Sequence, residues 1–334
     1  MGKIPLLGGV PTTSAGWFRY YNTTKLKFRQ GENVMNNINP FKFSDTNKRY
    51  HTFDYFYRNK FGCKCVKIPL DCGFGCPSRC TYCNIKNDRE IIPIVDQFEK
   101  AKIQYKPKWP GDVKYIAYFQ TGTNTYAPVD VLRKLYYEAI TLPDVVGVNI
   151  ATRADILSDE VVELLREIAD VTYLTVELGL QTIHDVTAES TNRRHTFSDF
   201  LEGFLKLRGI NTCVHIINGL PGENKDMMLQ TAAAVADLHP ACVKIHLLHV
   251  LKNTVLETQY FNGEFEVLSL EEYVDIVVAQ LEILPPEIYI GRITGDGLES
   301  ELVAPLWPLK KFVVINEIDK RMVNLDTWQG QSAR

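Results

Sequence analysis

From residue 64 onward the chain alternates short apolar runs with longer segments of helical periodicity. KCVKIPLD (64–71), VKYIAYF (113–119) and VVGVNIAT (145–152) read as three buried strands. VTYLTVEL (171–178), NTCVHIIN (211–218) and ACVKIHLLHV (241–250) read as three more. Between them, apolar positions recur three and four residues apart over PVDVLRKLYYEAI (128–140), SDEVVELLREIA (158–169), 197–208 and 224–238, which predicts helices with one apolar face. Ser158 and Asp159 offer N-cap chemistry to the second of these. Strands alternating with helices of about 10–15 residues argue for right-handed βαβ units and a parallel sheet. Six strands in series, with no dinucleotide-type glycine loop after the first, predict an α/β fold of the partial (β/α)6 TIM-barrel kind rather than a doubly wound sheet. In barrels, chemistry collects in the loops at the strands' C-terminal ends.

This pattern divides the chain into an N-terminal extension (1–63), a barrel (64–250) and a C-terminal part (251–334) that closes the barrel's side or shapes its cavity. Charge sharpens the first boundary. The net charge of −3 is the sum of +9 over residues 1–67, from twelve Lys and Arg against Glu32, Asp45 and Asp54, and −12 over the remainder. The basic segment is also rich in aromatics, Trp17, Phe28, Phe53 and Tyr57 among them. Cations interleaved with aromatics can hold phosphates and stack bases, with Lys25, Lys27 and Arg29 as candidate RNA contacts. The alternative is that the aromatics are core and the cations a solvated face.

Composition excludes little else. A hydrophobic content of 45% and a charged content of 23% are ordinary for a soluble globular protein. No run approaches the roughly 18–20 apolar residues of a membrane helix, and the N-terminus makes a poor secretory leader, so no membrane association and a cytoplasmic location are expected. In that compartment eight cysteines are reduced thiols, and clustered ones point to metal or redox chemistry.

One cluster stands out: CPSRCTYC (76–83), in the loop after the first strand, where the barrel rule puts chemistry. Structural zinc wants four ligands, commonly two C-x₂₋₄-C pairs. Cys80 and Cys83 make one pair, and the other would have to draw on Cys72 or on distant Cys63 or Cys65. A cubane iron–sulfur cluster can instead take Cys76, Cys80 and Cys83 and leave one iron without a protein ligand. Cys63, Cys65 and Cys72 remain candidates for a second cluster, while Cys213 and Cys242 read as buried free thiols.

The C-x₃-C-x₂-C spacing, with an aromatic before the last cysteine, resembles the signature of the radical S-adenosylmethionine (SAM) superfamily. YFQTGTNTYAP (118–128), VELGLQT (176–182), HIINGLPGE (215–223), KIHLLHVLKNT (244–254) and RITGD…APLWPLKKFVVINEIDK (292–320) extend the likeness to a bacterial family of the YhcC/YtqA type. That family is related to the catalytic subunit of eukaryotic Elongator, and the resemblance covers residue 49 to the C-terminus. It implies a [4Fe–4S] cluster on Cys76, Cys80 and Cys83, SAM chelated to the open iron, reductive cleavage to a 5′-deoxyadenosyl radical, and an external electron donor such as flavodoxin or ferredoxin. Tyr82 would lie near the adenine.

The superfamily's Gly-Gly-Glu after the second strand is replaced here by Gln120, Thr121 and Gly122, a polar loop without the acid. Glu177, placed at the end of the fourth strand, and Gln181 are candidates for the SAM ribose or amine. Arg193 or Arg194 would supply a cation for the SAM carboxylate, with a solvated turn as the alternative. Gly219 and Gly222 allow close backbone approach at a strand-to-helix junction. His249, Lys252 and Arg292 are candidate substrate residues. Kinship with the Elongator subunit, whose role is wobble-uridine modification, and the basic N-terminus make tRNA the leading substrate. The alternatives are a radical SAM enzyme acting on a small metabolite or peptide, and a zinc- or cluster-stabilised binding protein without turnover.

Overall fold

A computed structural model describes residues 47–85, 92–109, 111–295 and 297–333. Seven parallel strands form one sheet: β1 (Lys64–Leu70), β2 (Val113–Phe119), β3 (Val145–Thr152), β4 (Tyr173–Gln181), β5 (Asn211–Asn218), β6 (Cys242–Leu247) and, past the short β7 (Val250–Leu251), β8 (Tyr289–Arg292). Spatial order follows chain order, β1-β2-β3-β4-β5-β6-β8, with no reversal. A sheet built this way curls into a partial barrel with its connecting helices outside. Those helices are α2 (Ile94–Tyr105), α3 (Val129–Ile140), α4 (Asp159–Val171), α5 (Asp185–Ser190), α6 (Phe197–Lys206) and α7 (Lys225–Leu238).

The six expected strands and four expected helices are all present, with shifts at their ends. Ser158 caps α4 by accepting from the Val161 N–H, as the sequence predicts. The sixth strand stops at Leu247, because the Leu248 N–H turns back to Asn218 O and the chain then pairs Val250–Leu251 antiparallel with β9 (Leu302–Ala304). β8 is a seventh strand that the hydrophobic pattern does not reveal. Its four residues, YIGR, carry too little apolar signal. α2 and α1 (Phe53–Phe61) were likewise not anticipated.

Along each strand, period-two alternation sends one set of side chains out to the helices and the other into the barrel. The outward set, including Val66, Ile68, Ala117, Phe119, Val148, Ile150, Val176, Leu178, Val214, Ile216, Val243 and Ile245, belongs to the main core. The inward set changes character with height. At the strands' N-terminal ends, Cys65, Ile116, Cys213, Cys242, Tyr173 and Tyr289 form an apolar floor sealed by Tyr57, Phe53, Phe56 and Phe61 of α1. Phe56 stacks on Tyr289 at 4.0 Å between ring centroids, and Tyr57 is fully buried. Thr52 caps α1 and makes a parallel bridge to Ile290, and the Ile290 N–H donates to His51 O at 2.7 Å. Within residues 47–67 the aromatics are therefore packing groups. The cations there have partners within the fold as well: Lys48 pairs with Asp319, Arg49 with Asp326, Arg58 and Lys64 with Asp54, and Lys67 with Glu177, while Lys60 lies over the Tyr173 ring. Lys25, Lys27 and Arg29 lie outside the described residues.

One step above the floor every strand contributes a polar side chain: Lys67, Tyr118, Asn149, Glu177, His215, Lys244 and Arg292. Glu177 is at the centre. It lies in the middle of β4, not at its end, and its carboxylate has no exposure. Oε1 accepts from Lys67 Nζ at 3.0 Å and Asn149 Nδ2 at 2.7 Å. Oε2 accepts from Tyr118 at 2.7 Å, from His215 Nε2 at 2.9 Å and from Lys244. Burial alone would push this carboxyl up, but Lys244 and Lys67 hold it well below the usual range. Burial and the Lys244 ammonium push His215 down to about 4, so at neutral pH it is the uncharged tautomer with its proton on Nε2.

Two predictions follow from these tiers. Tyr57→Ala removes a fully buried aromatic side chain from the floor and should cost about 3–5 kcal/mol, as buried aromatic truncations do. Urea unfolding followed by circular dichroism measures it, and a loss below about 1 kcal/mol would mean that α1 does not seal the barrel. Acid should also destabilise the protein. The unfolded chain protonates His215 near pH 6.5 but the fold resists this down to about 4, so its contribution is complete above about 6.5 and lost as pH falls toward 4. Glu177, held low, adds a loss in the same direction at still lower pH. His215→Gln should flatten the decline of the urea midpoint between pH 7 and 4.5. His51, His195 and His246 shift the same way, so it removes only its own share. A variant that declines as steeply as the parent contradicts this account.

Candidate active site

The three cysteines lie in the loop that leaves β1 at the barrel's C-terminal mouth. The loop is pinned at its root and along its length. Gln97 of α2 accepts from the Asp71 N–H and donates to Asp71 O, both at 2.8 Å, and the Asp71 side chain accepts from the Gly73 N–H. Thr123 N–H donates to Gly75 O, and Gly122 (φ +82°) packs so closely that a Cβ there would fall 2.3 Å from Phe74 O. Only glycine fits, in conformation and in space. Further on, Asn192 Nδ2 donates to Arg79 O at 2.6 Å, Thr81 N–H to Thr191 O, and Leu256 N–H to Thr81 O. The loop is thus fastened to the β2, β4 and β6 sides of the mouth.

Cys80 is buried, and Cys76 and Cys83 are half-buried. Burial pushes the Cys83 thiol up, and neighbouring Cys80 and Cys76 add to this while a backbone contact at Ile85 and the Arg193 charge oppose it. Their donor chemistry fits a metal cluster better than a lone zinc ion. Structural zinc wants a fourth ligand, whereas a [4Fe–4S] cluster can take three thiolates and leave one iron open. Among the described residues, Glu177, Cys213 and His215 bring three potential ligand atoms within 4.8 Å of one another. The Glu177 group is itself no metal site, since two lysine ammoniums already occupy the carboxylate. Cys63 and Cys65 sit at the far end of β1, and the Cys72 side chain, at the loop's root, is buried in the main core. Cys213 and Cys242 are fully buried neighbours on β5 and β6, with Sγ atoms 2.9 Å apart.

A cavity of about 250 Å³ opens beside the cysteine loop, lined by Tyr82, Gln181, His215, His246, His249 and Arg292 among others. Gln181 ends β4 with φ +75°, and its buried Oε1 has no hydrogen-bond partner among the described residues. Nε2 of His246 is likewise buried without one. Unspent polar atoms around a cavity are what a ligand would satisfy.

The expected site residues separate as follows. Tyr82, Gln181, His249 and Arg292 line this cavity. Gln120 lines a second cavity, Gly122 packs against the cysteine loop, and Thr121 is half-buried between them. Of the two arginines, Arg193 is buried next to Cys80 and Tyr82 and donates to Gly179 O, whereas Arg194 is exposed and bonded to Asn192. Gly219 and Gly222 take positive φ in the loop after β5, with Gly219 packed behind Leu248 of the first cavity's lining. Lys252 does not join the site. It is exposed and donates to Ser300 O at 2.7 Å, because the chain leaves the barrel at Leu247. Glu177 faces the interior tier with its oxygens filled by protein donors rather than the mouth. Lys67, Tyr118, His215 and Lys244 were missed. The signal for them is a charged or polar residue at an inward position of an otherwise apolar strand, as in KCVKIPL and CVKIHL.

Comparison with known proteins agrees with this geometry. Residues 71–235 match the family model of the radical SAM superfamily, and residues 240–324 match the radical SAM C-terminal domain. The chain is 48% identical over 308 residues to YtqA of Bacillus subtilis, across 88% of this chain and 95% of that protein. It is 33% identical over 289 residues to YhcC of Escherichia coli, across 82% and 92%. A shorter stretch of 126 residues is 31% identical to tRNA uridine(34) acetyltransferase of Methanocaldococcus jannaschii, covering 36% of this chain and 23% of that one. Among solved structures, archaeal Elp3 of Methanocaldococcus infernus, with residues 1–46 deleted, shares the fold with a TM-score of 0.61 at 20% identity, across 79% of this chain and 64% of that chain. No helix among the described residues is long and apolar enough to cross a membrane. A half-barrel of parallel strands, a three-cysteine loop at its mouth and these relatives lead to one conclusion: the chain is a radical SAM enzyme of the YhcC/YtqA-like family related to the Elongator protein Elp3.

Proposed function

We propose that the chain holds a [4Fe–4S] cluster on Cys76, Cys80 and Cys83, binds SAM in the adjoining cavity, and acts on tRNA. The observation that carries the first part is three thiols on one pinned loop, whose Tyr82 lines a cavity with unsatisfied polar atoms. Three thiolates leave one iron open. When bound, the cluster supplies the electron that cleaves SAM to methionine and a 5′-deoxyadenosyl radical. The chain's residues then have defined tasks. Tyr82 supplies an aromatic wall for the adenine. Gln181 and His246 offer polar atoms to SAM, and Arg193 sets a positive charge beside Cys80. Gly122 lets the cysteine loop seat against the β2 side.

The substrate reading rests on the stretch shared with the tRNA uridine(34) acetyltransferase and on the cations of the first 46 residues. A target base has to leave its stack to reach a barrel mouth, which a single-stranded anticodon loop permits at little cost.

Anaerobically reconstituted protein should carry about four irons and four sulfides per chain, the stoichiometry of this cluster type. Replacing Cys76, Cys80 or Cys83 by Ala should remove the broad visible absorption. With dithionite the protein should release 5′-deoxyadenosine from SAM, and a Cys76→Ala, Cys80→Ala, Cys83→Ala triple variant that keeps its iron would end the assignment. For the substrate, tRNA from a strain lacking the gene should accelerate SAM cleavage and acquire a new nucleoside mass. Binding should weaken with salt along a log–log slope of about 0.7–0.9 per neutralised phosphate. Neutralising Lys25, Lys27 and Arg29 together should flatten that slope. If tRNA binds no better than to a neutral control protein at low salt, the RNA reading falls and a small metabolite or peptide takes its place.

A further inference from the structure

The polar tier holds more positive charge than its own carboxylate can balance. Glu177 supplies one negative charge, and both Lys67 and Lys244 contact it. Lys244 is 3% exposed, and the Lys67 side chain is 16% exposed. Arg292 ends β8 at the same side of the barrel. All three cations line one cavity of about 290 Å³, distinct from the one beside the cysteine loop, and among the described residues no acidic side chain lines it. A cation kept inside a protein is costly unless an opposite charge or a dense set of acceptors accompanies it. Two ammoniums against one carboxylate leave a unit of positive charge among Lys67, Lys244 and Glu177.

The rest of the lining says what kind of anion fits. Phe53, Tyr105 and Tyr118 form aromatic walls. Lys67 Nζ lies 4.7 Å from the Phe53 ring centre and 5.0 Å from that of Tyr118, and Lys244 Nζ lies 4.5 Å from Tyr118. Flat walls around a cationic end favour a planar ring that carries a negative substituent. The position favours a substrate group over SAM itself. Lys67 and Lys244 stand mid-strand, below the mouth, while the cavity that touches Tyr82 and Gln181 lies against the cysteine loop. Arg292 lines both cavities and so stands at their junction.

We propose that this interior cavity binds an oxyanion, a carboxylate or a phosphate, borne on a planar ring of the substrate, with Lys67 and Arg292 as its charge partners and Lys244 held between it and Glu177. The inference deepens the radical SAM reading and rests on it for the idea that a substrate enters the barrel. Its test needs neither tRNA nor turnover, so the two fail separately.

The experiment is calorimetric titration of the reconstituted full-length enzyme, under anaerobic conditions, with benzoate, phenyl phosphate and neutral benzamide. At least one anion should bind about tenfold or more tighter than benzamide, and the better of the two identifies carboxylate or phosphate. Lys67→Gln and Arg292→Gln should each weaken that anion about tenfold or more. SAM affinity, titrated on Lys67→Gln, whose side chain lines only the interior cavity, should fall at least about threefold less than the anion affinity. Arg292 is only half-buried at a strand end, so its variant keeps the test open if Lys67→Gln fails to fold. Three results overturn the proposal: benzamide binding as tightly as both anions, anion binding unaffected in the folded variants, or an equal loss of SAM affinity in Lys67→Gln, which would give this cation to the SAM carboxylate. Anion binding that meets these criteria beside a tRNA that does not stimulate SAM cleavage would leave the cavity assigned and remove the RNA.

Discussion

Taking the Glu177 carboxylate out of water costs several kcal/mol, and the barrel offsets that cost with five donors drawn from five other strands. Lys67 comes from β1, Tyr118 from β2, Asn149 from β3, His215 from β5 and Lys244 from β6. A one-residue slip in any of these strands would turn its donor to the outer face and leave a buried charge short of a partner. The apolar side chains already disfavour such a slip. The carboxylate adds a penalty that couples the strands to one another, because every donor must arrive at the same two oxygens.

That tier also divides the interior. Below it, the aromatic residues of α1 close the barrel with Tyr173 and Tyr289, and the two thiols of Cys213 and Cys242 fill the space between strands. Above it, the strands end in Gln120, Gln181 and His246, groups that face cavities. A radical generated at the mouth would therefore have a sealed floor beneath it and a charged shelf on which a substrate group can rest. The same arrangement explains why Glu177 makes a poor cofactor contact: its acceptor capacity is already consumed.

The cysteine loop depends on the fold in a different way. It has little regular structure, and its shape is imposed by hydrogen bonds to residues 97, 123, 191, 192 and 256. The three thiols are near in sequence, but their spread and orientation are decided by loops from the other side of the barrel. Gly122 is part of that imposition, since its lack of a Cβ lets the two loops touch.

The sequence by itself determined the alternation of strands and helices, the parallel partial barrel, and the chemistry of CPSRCTYC. These rest on local periodicity and on ligand spacing along a single loop, which survive without knowledge of neighbours. Tertiary structure alone decided the rest. It showed that β8 completes the sheet, for four residues of strand have too little periodicity to be seen. It brought Arg193 inward and left Arg194 and Lys252 outside, a choice set by backbone turns at positive φ and by where β6 ends. It also turned the aromatics of residues 50–61 into core rather than a nucleic-acid platform. Above all it gathered Lys67, Glu177, His215 and Lys244, up to 177 residues apart in the chain, at one height of the barrel. Period-two patterning says that each faces inward. The stagger between strands decides which of them meet, and that stagger is a property of the closed sheet.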